Sequence, residues 1–340
     1  MLRLPRFRFH RPTSLKEVAT ILASAGPDTR LVAGGTDLWP NMKRRHQTAE
    51  DVVSLMEVPG LAGVSGNGEV KIGATTILDE ITRDATVLHG YPALARAIAS
   101  ISSPPLRNMG TIGGNLCLDT RCTYYNQTEE WRRSIDYCMK EAGTVCWVAP
   151  SSPRCWAHSA SDSAPILCAL GARVRLTSSA GDRVIPVVRL FEDDGIEYLG
   201  KRADEILIEI LLGPETRSDS CKSSFWKLRR RGSIDFAVLS VAAALWLDGD
   251  GAVEKAKIYL GSVGSMPLPA TAASEYLAGK KLDPEVIEEA ARLARKPATP
   301  MDNTDFQAQW RSLMVSRYTE AALREIAGLE QRVFPPMHTL

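Results

Sequence analysis

The order of elements predicts a mixed α+β chain, and three observations carry that reading. Helix-period and strand-period segments follow one another without a repeating βα unit. Two strand-terminating Gly-Gly pairs stand at 34–35 and 113–114. Two long apolar strands, FAVLSVAAALWL from Phe236 to Leu247 and VEKAKIYLGSV from Val253 to Val263, read as a separate sheet beyond the linker-like GPETRSDSCKS. A chain of 340 residues can bury a large core and hold two or three domains.

The elements follow in order. Phe7 and Phe9 alternate with Arg6, Arg8 and His10, as in a half-buried strand. In PTSLKEVATILASAG, Ser14 and Glu17 have capping-box spacing, Leu15, Val18, Ile21, Leu22 and Ala25 share one helical face, and Gly26 suits the stop. A short strand, Arg30 to Ala33, runs into the first glycine pair, and DVVSL at 51–55 reads as a buried strand. Val70 and Ile72 alternate with polar neighbours, and PALARAIASI is a helix ended by Ser102-Ser103-Pro104-Pro105. SDSAPILCALGARVRLTS supplies a helical turn and then a strand from Ala172 to Leu176; DEILIEILL is a further strand. A helix starts at Asp283-Pro284-Glu285, with an N-cap Asp and Pro at the first position, and another spans roughly Asp305 to Ala327.

A formal charge of +1 and ordinary composition imply no polyanionic partner. Arg3, Arg6, Arg8, Arg11 and the run Arg229-Arg230-Arg231 read as solvated basic edges rather than a nucleic-acid surface. The N-terminal MLRLPRFRFHRP has no apolar signal region, and the longest apolar run, 236–247, is too short to span a bilayer. The expectation is a soluble, cytoplasmic protein without nucleic-acid or membrane partners. Its reducing surroundings disfavour disulfides, so clustered cysteines point to metal or redox chemistry.

Glycine lets backbone approach a ligand closely and turn N–H groups inward, making a nest for an anion such as a pyrophosphate. Two loops converging from different parts of the chain could supply the donors, with Thr36, Thr111 and Asn115 adding side chains. Neither loop matches GxGxxG or the Walker pattern, and a tight turn alone produces the same residues.

LVAGGTDL at 31–38, RNMGTIGGNLC at 107–117 and SDSAPILCALGARVRL at 161–176 together resemble the FAD-binding subunits of the molybdenum hydroxylase (xanthine dehydrogenase) family. FWKLRRRGSIDFAVLSVAAAL and VEKAKIYLGSVGSMPLPA resemble that family's C-terminal domain. The resemblance covers nearly the whole chain in the right order. It implies a PCMH or vanillyl-alcohol-oxidase-type FAD domain of two subdomains over 1–217, an α/β domain of the CO-dehydrogenase flavoprotein type over 218–330, and a tail at 331–340. It also implies flavin contacts from Leu31, Val32, Ala33, Gly34, Gly35, Thr36, Asp37 and Leu38, and from Thr111, Ile112, Gly113, Gly114 and Asn115. Ile101, Asp162, Ile206 or its neighbour Leu207, and Lys227 complete the implied set.

The family pattern breaks after Leu118 and resumes at His158, leaving an insertion over 119–160, far longer than a usual connection. Four of the seven cysteines lie in it: Cys122, Cys138, Cys146 and Cys155. Their gaps of fifteen, seven and eight residues lack the CxxC hairpin usual for structural zinc, whereas iron–sulfur clusters accept wider spacing. Spacing alone leaves cluster, zinc and free thiols open. Trp131, Trp147 and Trp156 read as the insertion's own apolar core, with shielding of a cluster as the other reading, and His158 as a surface or loop residue. Cys117, Cys168 and Cys221 read as structural.

Within the family, the 4-hydroxybenzoyl-CoA reductases carry an added cluster-binding loop. That resemblance implies a [4Fe–4S] cluster on the four insertion cysteines beside FAD. The implied partners are a molybdenum-cofactor large subunit, a [2Fe–2S] small subunit, together a heterohexamer of three subunit types, and ferredoxin as donor. The implied role is electron delivery for reductive dehydroxylation to benzoyl-CoA, with no catalytic side chain on this chain. Alternatives are the FAD subunit of another molybdenum hydroxylase, acting on a purine, aldehyde or N-heterocycle with a zinc loop, and a non-enzymatic zinc-stabilised interaction module.

Overall fold

The computed structural model describes residues 3–24 and 26–331. Strands β1 (Arg8–His10), β2 (Thr29–Val32) and β3 (Asp51–Ser54) form a small parallel sheet in the order β1-β3-β2. The helix Leu15–Ser24 crosses from β1 to β2, as a parallel pair requires. Its start is capped on both sides: Glu17 N–H donates to Ser14 Oγ at 3.2 Å, and Glu17 Oε2 accepts from Thr13 N–H at 2.7 Å. Val18 is the helix's fully buried residue, packed with Val53, Leu55 and Ile206; Ala25, placed on that face from the sequence, lies outside the described residues. The first strand is not half-buried in the expected sense. Phe9 is 48% exposed, while Arg8 and His10 hold the buried Asp51, with Arg8 Nε–Oδ1 and His10 Nε2–Oδ1 both 2.7 Å. Those two hydrogen bonds keep the Asp51 carboxyl well below the usual carboxylate range.

A second, wholly antiparallel sheet has the order β4-β5-β8-β6-β7, from β4 (Val64–Ser65), β5 (Val70–Gly73), β6 (Arg173–Ser178), β7 (Gly181–Pro186) and β8 (Ile206–Leu212). Val70 and Ile72 point into its core while Lys71 is exposed, the alternation the sequence shows. Against it pack the helices Pro92–Ala99 and Ser163–Leu170, the latter closed by Gly171 in the left-handed region.

The third sheet, also antiparallel, runs β12-β11-β10-β9, with β9 (Lys222–Leu228), β10 (Leu239–Leu247), β11 (Val253–Gly261) and β12 (Leu268–Pro269). The continuous apolar run of β10 has a simple cause. Val241, Ala243 and Leu245 face the helices Thr271–Leu277, Pro284–Ala294 and Ala308–Ile326, whereas Ala242 and Ala244 face the core around Leu94 and Ile166. A strand buried on both faces has no polar side. Fully buried Arg311 ties this region together, donating to the carbonyls of Val238 (2.9 Å), Met301 (3.0 Å) and Ser262 (2.5 Å). Asp283 caps its helix as expected, accepting from Val286 N–H at 2.8 Å. Among the described residues, no helix is long and apolar enough to cross a membrane.

The long segment between Leu118 and Ser159 leaves the main body on a two-rung stem. Arg121 and His158 pair antiparallel, each N–H donating to the other's carbonyl at 2.8 Å. Beyond the stem only Glu129–Ser134 is helical, capped by Thr128. His158 is no surface histidine: it is buried, and its Nδ1–H donates to Ser159 O at 2.9 Å. Burial brings its pKa down to about 4, so the folded stem holds a neutral imidazole.

An imidazole held neutral on folding contributes stability above its unfolded pKa near 6.5, and that contribution disappears as pH falls toward about 4. The shift corresponds to about 3 kcal/mol. Urea unfolding at pH 7, 5.5 and 4 is expected to show His158→Gln losing less stability over this range than the parent. Equal losses in the two proteins would show that the stem does not titrate.

Candidate functional site

The first glycine pair sits where β2 ends. A Cβ on Gly34 would overlap the Met109 carbonyl, and Gly35 has φ +69° with the Trp39 indole against its Cα. No side chain fits at either position without moving the neighbouring backbone or ring. The N–H groups of Gly34, Gly35, Thr36 and Asp37 have no acceptor among the described residues. Consecutive free N–H groups on a tight loop form an anion nest.

The second pair is built differently. Thr111 caps the short helix Ile112–Leu116, its Oγ1 accepting from Gly114 N–H at 3.2 Å. Gly113 lies flush against the end of β5, its N–H donating to Ala74 O at 2.8 Å. Asn115 Oδ1 accepts from Ser161 Oγ (3.0 Å), Ser163 Oγ (2.6 Å) and Ser163 N–H (3.2 Å), which fixes the turn carrying Asp162. Asp162 Oδ2 accepts from Lys227 Nζ at 2.7 Å, both side chains being 4% exposed, and Lys227 also donates to Ser100 O at 3.0 Å. Asp162 Oδ1 is buried without a partner. Burial raises the Asp162 carboxyl and the Lys227 charge opposes that rise.

These parts enclose a long cleft with two communicating portions, about 300 and 740 Å³. All of 31–38 line the smaller one, with Ile101, Thr111, Gly114, Asn115 and Asp162. Gly113 and Leu207 line the larger. Ile112 and Ile206 are buried and line neither, and Lys227 reaches the cleft only through Asp162. In strand β8 the alternation therefore turns Leu207 to the cleft and Ile206 to the core behind the first sheet. Cys117, expected to be structural, stands in the wall. Sequence reasoning passed over Gln47, Asp119 and Tyr198, which line both portions, and Phe236, which lines one. Only Phe236 carried a signal, through its place in FWKLRRRGSIDFAV.

Beside this cleft lies a second, small apolar cavity. Cys122, Cys138, Cys146 and Cys155 are all buried and all line it. Its free volume is about 10 Å³, room for one water molecule. The Ala157 N–H donates to Cys155 Sγ at 3.4 Å. Burial pushes the Cys122 thiol up to about 12 and Cys155 to about 11, so these sulfurs stay protonated unless a cation joins them. The insertion's core is therefore made of thiols with Tyr125 and Ala157, not of tryptophans. Trp131 and Trp147 are 38% and 39% exposed, and of the three tryptophans only Trp147 touches the thiol cavity. Among the described residues, no three His, Cys, Asp or Glu side chains converge tightly enough to hold a metal ion. Cys168 and Cys221 are buried in the main core, as expected.

The family model for the FAD-binding domain of molybdopterin dehydrogenases matches residues 5–214. The chain belongs to the FAD-binding medium subunits of the molybdenum hydroxylase family. The model of the CO dehydrogenase flavoprotein C-terminal domain matches 223–326. Curated relatives include the carbon monoxide dehydrogenase medium chain of Hydrogenophaga pseudoflava, 25% identical and covering 94% of this chain and 96% of the relative. The nicotinate dehydrogenase FAD-subunit of Eubacterium barkeri is 26% identical over 83% of each chain. Among solved structures, a cyanide-inactivated Cu,Mo-CO dehydrogenase superposes with a TM-score of 0.79 at 25% identity, over 96% of this chain and 99% of that one. Members of this family bind FAD through the matched domain, and the nest, the orphan carboxylate oxygen and the cleft's size fit that cofactor.

Gly34→Ala is expected to lose most bound flavin, because its methyl displaces the Met109 segment from the nest. Gly68→Ala, outside the cleft and with nothing within 4 Å of the added methyl, is expected to keep it. Flavin absorbance per protein chain reads both variants. Equal flavin content in the two would refute the nest.

Proposed function

We propose that this chain carries FAD and a [4Fe–4S] cluster as the electron-transferring subunit of a 4-hydroxybenzoyl-CoA reductase type complex. The observation that carries the reading is the sharing of one buried cavity by all four insertion thiols, next to the flavin cleft. Cys155 Sγ already has a backbone N–H donor, the kind of contact that stabilises a cluster's negative charge. The four cysteines lack the CxxC hairpin usual for a structural zinc site, whereas iron–sulfur clusters accept wider spacing. Thiol rotamers set the width of the cavity, and a four-iron cluster requires them turned outward.

In this reading 1–217 form the flavin unit, with 119–160 as its cluster loop, and 218–330 the C-terminal unit. FAD and the cluster, when bound, supply the electron exchange. The chain's own residues grip, orient and insulate. The 34–37 nest faces the diphosphate, Asp162 offers its unpaired oxygen to a ligand donor, and Leu207 packs the larger portion of the cleft. Partner subunits would hold the molybdenum cofactor and [2Fe–2S] centres, a reduced ferredoxin would load the cluster, and the assembly would work in the cytoplasm. The relatives' names, medium chain and FAD-subunit, support membership of such an assembly. They also name oxidising dehydrogenases, so an oxidising complex is the second reading.

Metal, sulfide and flavin analysis of anaerobically purified protein decides between them. About four iron and four sulfide per FAD are expected. Zinc with FAD would support the second reading and overturn the first. Cys138→Ser is expected to lose the broad iron–sulfur absorbance while keeping flavin; a full iron complement in that variant would refute the ligand set.

A further inference from the structure

The wall between the thiol cavity and the flavin cleft is narrow, and Lys140 and Tyr125 line both sides of it. Lys140 is 6% exposed in its side chain, an expensive place for an ammonium unless its donors are met. They are met by Asp119 Oδ1 at 2.8 Å, Thr120 Oγ1 at 2.9 Å and Gly195 O at 2.5 Å, between the rings of Tyr125 (5.3 Å) and Tyr198 (5.5 Å). Asp119 and Tyr198 belong to the flavin cleft. Gly195 belongs to the thiol side: a Cβ there would lie 2.6 Å from Cys155 Sγ, and its N–H donates to Cys155 O at 3.0 Å.

The pair spans the wall: Lys140 lines both the thiol cavity and the cleft, whereas Asp119 lines the cleft alone. A fixed positive charge favours the more negative, reduced state of a nearby centre, most strongly where solvent is excluded.

We infer that Lys140 is a positioning residue that raises the reduction potential of the centre on the four thiols and, through Asp119, couples that centre to the flavin cleft. The inference rests on the cluster reading proposed above. It assigns a function to a lysine that would otherwise be a costly buried charge, and it explains why the insertion's one lysine sits at the wall and not on the surface.

The test is an anaerobic redox titration of the full chain, with its partner subunits where they copurify, following the reduced cluster by electron paramagnetic resonance and the flavin by absorbance. In Lys140→Met, with iron and FAD contents at the parental level, the cluster midpoint is expected to move to more negative potential; Lys140→Arg, which keeps the charge, is expected to stay near the parental value. Should Lys140→Met lose iron, Lys140→Gln, whose amide still donates to Asp119, is expected to show the same negative shift. Full iron with an unmoved midpoint in the uncharged variant overturns this inference alone. A parental protein without cluster iron overturns the underlying reading and this inference with it.

Discussion

One buried arginine holds the two sites in register. The Arg121 guanidinium bonds Asp37 at the end of the glycine loop, reaches Asn41 Oδ1 at 3.4 Å, and lies 4.9 Å from the Phe236 ring centre. It thus joins the flavin nest, the stem of the insertion and the connection between β9 and β10. Burial pushes the Asp37 carboxyl up, and Arg121 is the first opposing influence. Removing Asp37 would leave the Arg121 charge buried with only the amide oxygen of Asn41 beside it, which destabilises the fold. The insertion is therefore part of the cleft's architecture rather than a loose appendage.

More contacts repeat that logic farther out. The Tyr125 hydroxyl donates to His46 O, and fully buried Arg132 donates to Arg44 O at 3.1 Å while pairing with Glu129 and Glu141. Immediately before Cys138, Asp136 and Tyr137 both adopt left-handed backbone, at φ 56° and 58°. Non-glycine residues held there cost about 1–3 kcal/mol each and persist only where surroundings over-determine them. Here Tyr137 Oη donates to Glu129 at 2.9 Å and Tyr137 O accepts from Trp147 Nε1 at 2.8 Å. The thiol cage is thus shaped by polar contacts of the protein, which leaves sulfur chemistry free to serve a ligand.

Much of this was legible in the residues. The capping of the helices at Ser14 and Asp283, the alternation at Val70 and Ile72, and the doubly buried run at 239–247 are local patterns with local causes. The glycine pairs were visible too, although nothing local tells that the first opens a nest and the second anchors a helix. What escaped depends on distant segments meeting. Leu207 and Ile206 are both apolar, and only the packing of β8 between the first sheet and the cleft tells them apart. Tyr198, Asp119 and Lys140 come from three separate stretches and mean nothing until Gly195 lays its loop on Cys155. Trp131 and Trp147 misled because aromatic residues usually make a small core, and here buried thiols took that place.

The most direct measurement is X-ray diffraction collected at the iron and zinc absorption edges from crystals grown without oxygen. The account predicts a single strong iron peak enclosed by Cys122, Cys138, Cys146 and Cys155, across the Lys140–Tyr125 wall from bound flavin. A zinc peak in that position, or flavin in the cleft with no metal between those sulfurs, would contradict it.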